Sequence, residues 1–442
     1  RGGAIWGAIA RGITGVLVII SGGLLARTLS AEHLGYFFFI LPLVRCGGIV
    51  VGFGTPTGIL KDIGIAAEQR HWDAVRRIVL LTLLALSLAG VAVAMLFAGL
   101  WPILSEKVFD HQIPLLLGGV IFVLAVLNAV EQAGSAFFRA VRQTILGLFL
   151  LGVPRELLFV VGLATMLITA GTIGIATALW LFLGAALVVT AGIAVLLVRF
   201  LATHRQAREK VEPQRHKAFF ALCFPIMLYG STVFLLGRAD IWTLGVFRTP
   251  EEVAVYGAVV RLTALISFVL QVLNLVLPPM VATAYHKGQI RKLALLARTA
   301  ASWSSLLAIC VVSVLLLFGG WLLGAVYGPG FEAGWSILAI LTIGQGINAA
   351  CGSPGVILQM TGFHKLLMQI TIGIACLNLI GNIIVVREYG PLGAAAVTAA
   401  TLILQNVAMT YYTYEKVGVL SLPSPRMFSR RYLTRLVTGS SR

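Results

Sequence analysis

Charge is what this sequence has least of. Of its 442 residues only 11% are charged, and acidic residues number 16 against 33 basic ones. An ordinary soluble domain carries about a quarter of its residues as charges, so that class is excluded. Cysteine is also scarce: Cys46, Cys223, Cys310, Cys351 and Cys376 sit singly inside apolar runs, with no CxxC or Cys/His spacing. That pattern excludes a disulfide framework and a zinc site, and leaves the thiols as small core residues. Neither HExxH, GxSxG, a P-loop nor a kinase-like motif occurs, so no catalytic signature is available.

What the chain has instead is oil. Hydrophobic residues make up 59% of it, and the mean hydropathy is +0.97. These values define an all-α polytopic membrane protein. A formal charge of +17 would invite a nucleic-acid partner only if the basic residues formed one soluble surface; they lie between apolar runs, so no nucleic acid is expected. The first apolar run has spanning length and lacks a small-residue cleavage site, which argues against a cleaved signal peptide. A native N-terminus longer than Arg1 is expected.

A span needs about 20 residues to cross about 30 Å of hydrocarbon. Windows of that length give twelve expected transmembrane helices: 4–27, 34–60, 78–100, 113–138, 144–167, 173–198, 218–246, 253–284, 293–319, 334–360, 366–386 and 391–414. Most basic residues then fall on one side, in the connections around Arg70 to Arg77, Arg139 to Arg142, Arg199 to Lys217 and Lys287 to Arg298, and after Lys416. The opposite side holds only Arg27, Lys107, Arg248 and Arg387. The positive-inside rule therefore expects both termini in the cytoplasm. The basic stretch 199–217 reads as a linker between two six-helix lobes, 1–198 and 218–415, and 416–442 as a basic cytoplasmic tail. Glu32 and Tyr36 recur as Glu252 and Tyr256, Asn128-Ala129 as Asn348-Ala349, and Gly171, Gly174, Ala176 as Gly390, Gly393, Ala395. All share an offset of about 220 positions, which points to a parallel repeat with a pseudo-twofold axis along the membrane normal and a central cavity between lobes.

Topology leaves several charges unexplained. Arg11, Arg45, Arg155, Arg238 and Arg261, with Glu131, Glu156 and Asp240, fall inside expected spans. An arginine at a span's centre costs about 2.5–3.5 kcal/mol on insertion scales, so it should face a partner or a wet cavity. Arg45 and Arg155 each sit about 16 Å into a span, and Arg261 about 13 Å. Arg238 and Asp240 near an outer end have snorkelling as their alternative, and Arg11 sits near the cytoplasmic end. The repeat places Arg261 opposite Leu41, one turn from Arg45 on the same face. Asn128, Glu131, Ser135 and Arg139 fall on one helical face, as do Ser267, Gln271, Asn274 and Pro278. These stripes fit either a wet interior or hydrogen bonding between helices. Within LFLLGVPRELLFVVGL, Gly152 and Pro154 predict a kink, and Arg155 and Glu156 lie about 100° apart on the helix, which argues against simple mutual cancellation.

A cavity with more arginine than acid suits an anionic cargo such as phosphate. The segments LLARTLSAEHLGYFFFILPLV (24–44), TPEEVAVYGAVVRLTAL (249–265) and REYGPLGAAAVTAATL (387–402) resemble the polysaccharide-repeat flippases, the Wzx-type branch of the superfamily that also holds MATE exporters and MurJ lipid II flippases. The resemblance implies twelve helices in two six-helix lobes around a MATE-like V-shaped central cavity, and a non-enzymatic transporter of the bacterial inner membrane. Its expected cargo is an undecaprenyl-diphosphate-linked oligosaccharide, moved from the cytoplasmic to the periplasmic leaflet by alternating access. On this reading Arg45, Arg155, Arg261, Arg11 and Arg238, with Asn128, Gln271 and Asn274, contact the cargo, and Trp180, Tyr229 and Trp242 serve its sugars. Glu156, Glu131 and Asp240 are candidates for coupling, and Pro154 for gating. No cofactor is expected; proton or sodium-ion coupling stays open, and the expected partners are membrane lipid and a polysaccharide polymerase machinery.

The alternatives are a lipid II flippase, a MATE-type or major-facilitator exporter, and a membrane polymerase or ligase. The MurJ branch commonly carries two further C-terminal helices, whereas the tail after Tyr414 is too polar to span. The polymerase reading wants a sizeable outer loop, and those here are about a dozen residues long.

Overall fold

The computed structural model describes residues 2–109, 114–204 and 214–424. Most of the expected linker and the tail beyond Ser424 lie outside the described residues. Among those described, the secondary structure is helical, with no strand. Ten helices are long and apolar enough to cross a membrane.

The first compact unit runs from Arg1 to Ala254. It contains α1 (Gly2–Thr28), α2 (Ala31–Val51), α3 (Thr55–Glu68), α4 (Trp72–Lys107), α5 (Leu115–Ala140), α6 (Thr144–Leu150), α7 (Val153–Thr169), α8 (Ile175–Thr203), α9 (Gln214–Leu236) and α10 (Ala239–Phe247). The second unit, Val255 to Arg442, begins one turn into α11 (Pro250–His286). It continues with α12 (Ile290–Tyr327), α13 (Trp335–Cys351), α14 (Pro354–Met360) and α15 (His364–Val417). Although α9 lies beyond the basic linker, it packs against α2 and α3.

Glycine and proline set where helices begin and break. Ser30 caps α2 by accepting the His33 N–H at 3.2 Å, satisfying a donor that a helix start leaves open. The expected span 34–60 is not continuous. It breaks at Gly52–Gly54, where Gly54 has φ 68° and Pro56 opens α3; a side chain at Gly54 would strike the Cys223 carbonyl of α9. The expected span 144–167 breaks at Gly152, φ 142°, and Pro154 starts α7, as the sequence suggested. The expected span 334–360 breaks at Gly352, φ 71° and ψ −127°, and 218–246 breaks between α9 and α10. The last two expected spans form α15, two helices joined where Gly390 takes φ 54° before Pro391. Proline lacks an N–H, so the breaks before Pro56, Pro154, Pro354 and Pro391 fall where the backbone had least to lose; the break between α9 and α10 has Gly237 instead.

The outward faces of the long helices are apolar and exposed, as at Leu80, Leu88, Met95, Ile168, Leu317 and Phe318. In water such surface would be unstable; in hydrocarbon it is the solvated face. The buried faces are closed by small residues and rings. Gly134 receives Ile193, and Gly344 lies against Ala399, the close approach typical of helix pairs in membranes.

Candidate functional site

The deepest charged group in the first unit is built from three helices. Arg155, in the first turn of α7, donates from Nη1 to Glu131 Oε2 of α5 at 2.9 Å. Its Nη2 lies 3.8 Å from Glu156 Oε1. The guanidinium stacks over the Phe182 ring of α8, 5.1 Å from the centroid. Phe159 and Phe37 extend that wall, with Phe159 and Phe182 centroids 4.9 Å apart. Arg155, Glu131 and Glu156 are all buried. The 100° separation of neighbours therefore does not keep Arg155 and Glu156 apart: long side chains bridge what the backbone directions separate. Glu131 Oε1 and Arg155 Nε have no hydrogen-bond partner among the described residues. Two carboxylates against one guanidinium leave this buried cluster one negative charge in excess when all are ionised.

The polar stripe on α5 is packed rather than open. Asn128 accepts from Gln132 at 2.7 Å and sits where Gly48 of α2 leaves room for it. Ser135 is fully buried and donates to the Gly147 carbonyl of α6 at 2.7 Å. Arg139 turns back to the Ser135 carbonyl at 3.3 Å, and Gly147 accommodates its stem. Arg11 of α1 is half-buried and within electrostatic range of Arg139.

Arg45 differs from Arg155. It lies on α2 but is exposed, fourteen residues from the helix start, which is about 21 Å along the axis. Arg238 is half-buried at the start of α10. Asp240, in that helix's first turn, is buried, and its Oδ1 accepts the Ile241 N–H at 2.8 Å. An acid there complements the helix N-terminus, a structural use of the charge. Trp180 and Tyr229 are exposed. Trp242 packs edge-on to Phe39, centroids 5.4 Å apart.

In the second unit Arg261 is half-buried on α11 and donates to the Gly257 carbonyl at 3.3 Å, with Tyr327 of α12 in electrostatic range. Gln271 is exposed and Asn274 half-buried on the same helix. Asn274 Oδ1 accepts from Ser353 Oγ at 2.6 Å, which ties α11 to the break between α13 and α14. The structure thus brings Glu131, Arg155 and Glu156 together, and adds Phe182, Gln132 and Ser353, which sequence reasoning missed. Phe182 gave no signal, being one more aromatic in an apolar run.

Solved structures share this all-helical membrane fold with its broken spans. An inward-facing multidrug-resistance MATE transporter of the MOP superfamily aligns with TM-score 0.69 at 16% identity, covering 93% of this chain and 98% of the other. The inward-closed lipid II flippase MurJ aligns with TM-score 0.65 at 14% identity, covering 98% and 91%. At these identities the match establishes the fold. The model of the polysaccharide biosynthesis protein family matches residues 2–284, and the chain belongs to that family. A relative in Haloferax volcanii, described as a probable low-salt glycan biosynthesis flippase, Agl15, is 24% identical over 402 residues, covering 89% of this chain and 79% of its own length.

Proposed function

We propose that this protein is a flippase for lipid-linked glycans, carrying polyprenyl-diphosphate-linked polysaccharide repeat units across the membrane. In a bacterial inner membrane the carrier lipid would be undecaprenyl. Family membership over residues 2–284 and the resemblance to a glycan flippase over most of the chain support the class. The observation that carries the anionic cargo is Arg45, an exposed guanidinium about 21 Å along a spanning helix. An arginine facing hydrocarbon would cost about 2.5–3.5 kcal/mol; along a polar route it supplies a planar donor fork for phosphate oxygens. Arg45 in the first unit and Arg261 in the second each offer a guanidinium to anionic groups of the cargo, with Arg11 and Arg238 as further cargo contacts. The amides of Gln271 and Asn274 serve the sugars, and the polyprenyl tail stays in lipid. Transport proceeds by alternating access, with both termini cytoplasmic.

The buried triad has a different role. Arg155 is engaged by Glu131 and Glu156, and Asn128 by Gln132, so we assign them to gating rather than to cargo contact. Glu131 and Glu156, the two acids against one guanidinium, are the coupling candidates, and the break at Gly152–Pro154 is the element they gate. Asp240, already used at a helix start, is the weaker coupling candidate.

The test is export of surface polysaccharide in cells whose own copy is deleted. Arg45→Ala and Arg261→Ala each lower export at least tenfold with normal protein in the membrane. Normal export by both variants at native abundance rejects a cargo-binding role for these arginines. Glu156→Gln is expected to change the pH dependence of export; an unaltered profile and rate removes Glu156 from coupling.

A further inference from the structure

After α15 the chain does not leave the second unit. Gly418 ends the helix with φ 73°, and residues 418–424 run back across the unit as an extended strap. Val419 is fully buried with Val281, Ala284, Leu293, Ala297 and Ile357, at the end where α11 passes into α12. Ser421 is also fully buried and donates from Oγ to the Cys351 carbonyl at 2.9 Å. Ser424 closes the strap on α12: its N–H donates to Ser302 Oγ at 3.0 Å, and that hydroxyl lies 3.5 Å from its carbonyl.

Cys351 is the last residue of α13, so its carbonyl is one that a helix end leaves without an intrahelical donor. The fully buried Ser421 hydroxyl supplies the donor it lacks. The next residue, Gly352, has a backbone conformation closed to other residues, and a Cβ there would meet Ala301 at 2.8 Å and Ser421 Oγ at 3.1 Å. Ser304 of α12 satisfies the Ala349 carbonyl at 2.8 Å. The break is thus held between α12 on one side and the strap on the other. Beyond it comes Ser353, whose hydroxyl fixes Asn274 at 2.6 Å.

We infer that the C-terminal strap, through Ser421, is a positioning element that holds the α13–α14 break in shape and so orients Ser353 and Asn274. The first half is independent of cargo; the second rests on the proposed role of Asn274. The last described residues of the chain are therefore part of the transport machinery.

The experiment uses the full chain in native membranes, with Cys351 as its sole cysteine, and follows N-ethylmaleimide labelling alongside export. Cys351 is 6% exposed, so labelling of the parent is slow. Ser421→Ala removes the hydrogen bond and raises the labelling rate roughly fivefold, the scale of one net hydrogen bond. Export falls in step. Ser421→Thr keeps the hydroxyl and returns both readouts toward the parent. A chain stopped after Gly418 labels faster still. Labelling within twofold of the parent in both Ser421→Ala and the shortened chain overturns the strap. Faster labelling with undiminished export in Ser421→Ala overturns the link to Asn274. Asn274→Ala is run in parallel: if it exports normally, the cargo role of Asn274 fails while the labelling result stands.

Discussion

At the scale of single residues, the decisive object is one guanidinium between two carboxylates. Moving an ion pair out of water is expensive, and the attraction recovered repays it only when geometry is good. Arg155 and Glu131 meet at 2.9 Å with side chains 10% and 4% exposed, so neither tolerates the loss of the other. Glu131→Ala should lower stability by about 3–5 kcal/mol, because it leaves Arg155 buried with only the longer contact to Glu156. A Glu131→Leu, Arg155→Leu double variant should recover most of that loss while export stays impaired. Thermal unfolding of detergent-solubilised protein, read with export, checks both; equal loss in the single and double variants would contradict the ion-pair account. That Arg155 needed a partner was legible from its depth in an apolar run. Which partner was not: Glu131 is 24 residues away, and it is the packing of both α5 and α7 against α8 that brings the two side chains together.

At the scale of elements, glycines decide. The break at Gly152 was readable because Pro154 follows it. Those at Gly52–Gly54 and Gly352 also precede prolines, Pro56 and Pro354, but their flanks are so apolar that hydropathy ran straight through them. Gly152→Ala should lower stability by about 1–3 kcal/mol, since φ 142° suits no side chain and the added methyl would sit 3.3 Å from Thr14. An Ala variant as stable as the parent would remove the strain argument. The turns after α3, α5, α11 and α14 share one design, an αL residue ending the helix: Arg70, Arg142, Gly288 and Gly362, with φ of 58°, 66°, 66° and 93°. The first two lie about 220 positions before the second two, in the register of the expected repeat. A left-handed non-glycine residue costs about 1–2 kcal/mol, less the unfolded-chain entropy that glycine adds. Arg70→Gly should therefore gain about 0.5–1 kcal/mol, while Gly288→Ala should lose about 1 kcal/mol. Chemical denaturation of the two variants tests the opposite signs; equal signs would deny that the turns are equivalent.

At the scale of the whole molecule, composition was the strongest guide, because a membrane protein must satisfy its backbone internally and show lipid an apolar face. That constraint makes helical class and spanning stretches readable without any contact being known. The placement of α9 against α2 and α3 was not readable, since tertiary packing leaves no local trace. The same constraint argues the last prediction. Arg45 lies on a helix long and apolar enough to span and Arg261 in the expected span 253–284, and a charge is kept in such a place only at an energetic cost of a few kcal/mol. If that cost is offset by a water-filled route for an anionic cargo, both positions must see water during the transport cycle. Cysteines placed at 45 and 261 in a chain otherwise free of cysteine should react with a membrane-impermeant thiol reagent, and a lipid-linked glycan substrate should slow the reaction. A buried ion pair would leave both positions inert under every condition, in intact cells and in inverted vesicles alike. Labelling that depends on which side the reagent is added, and that shifts when substrate synthesis is blocked, would show that each arginine faces water and cargo in turn.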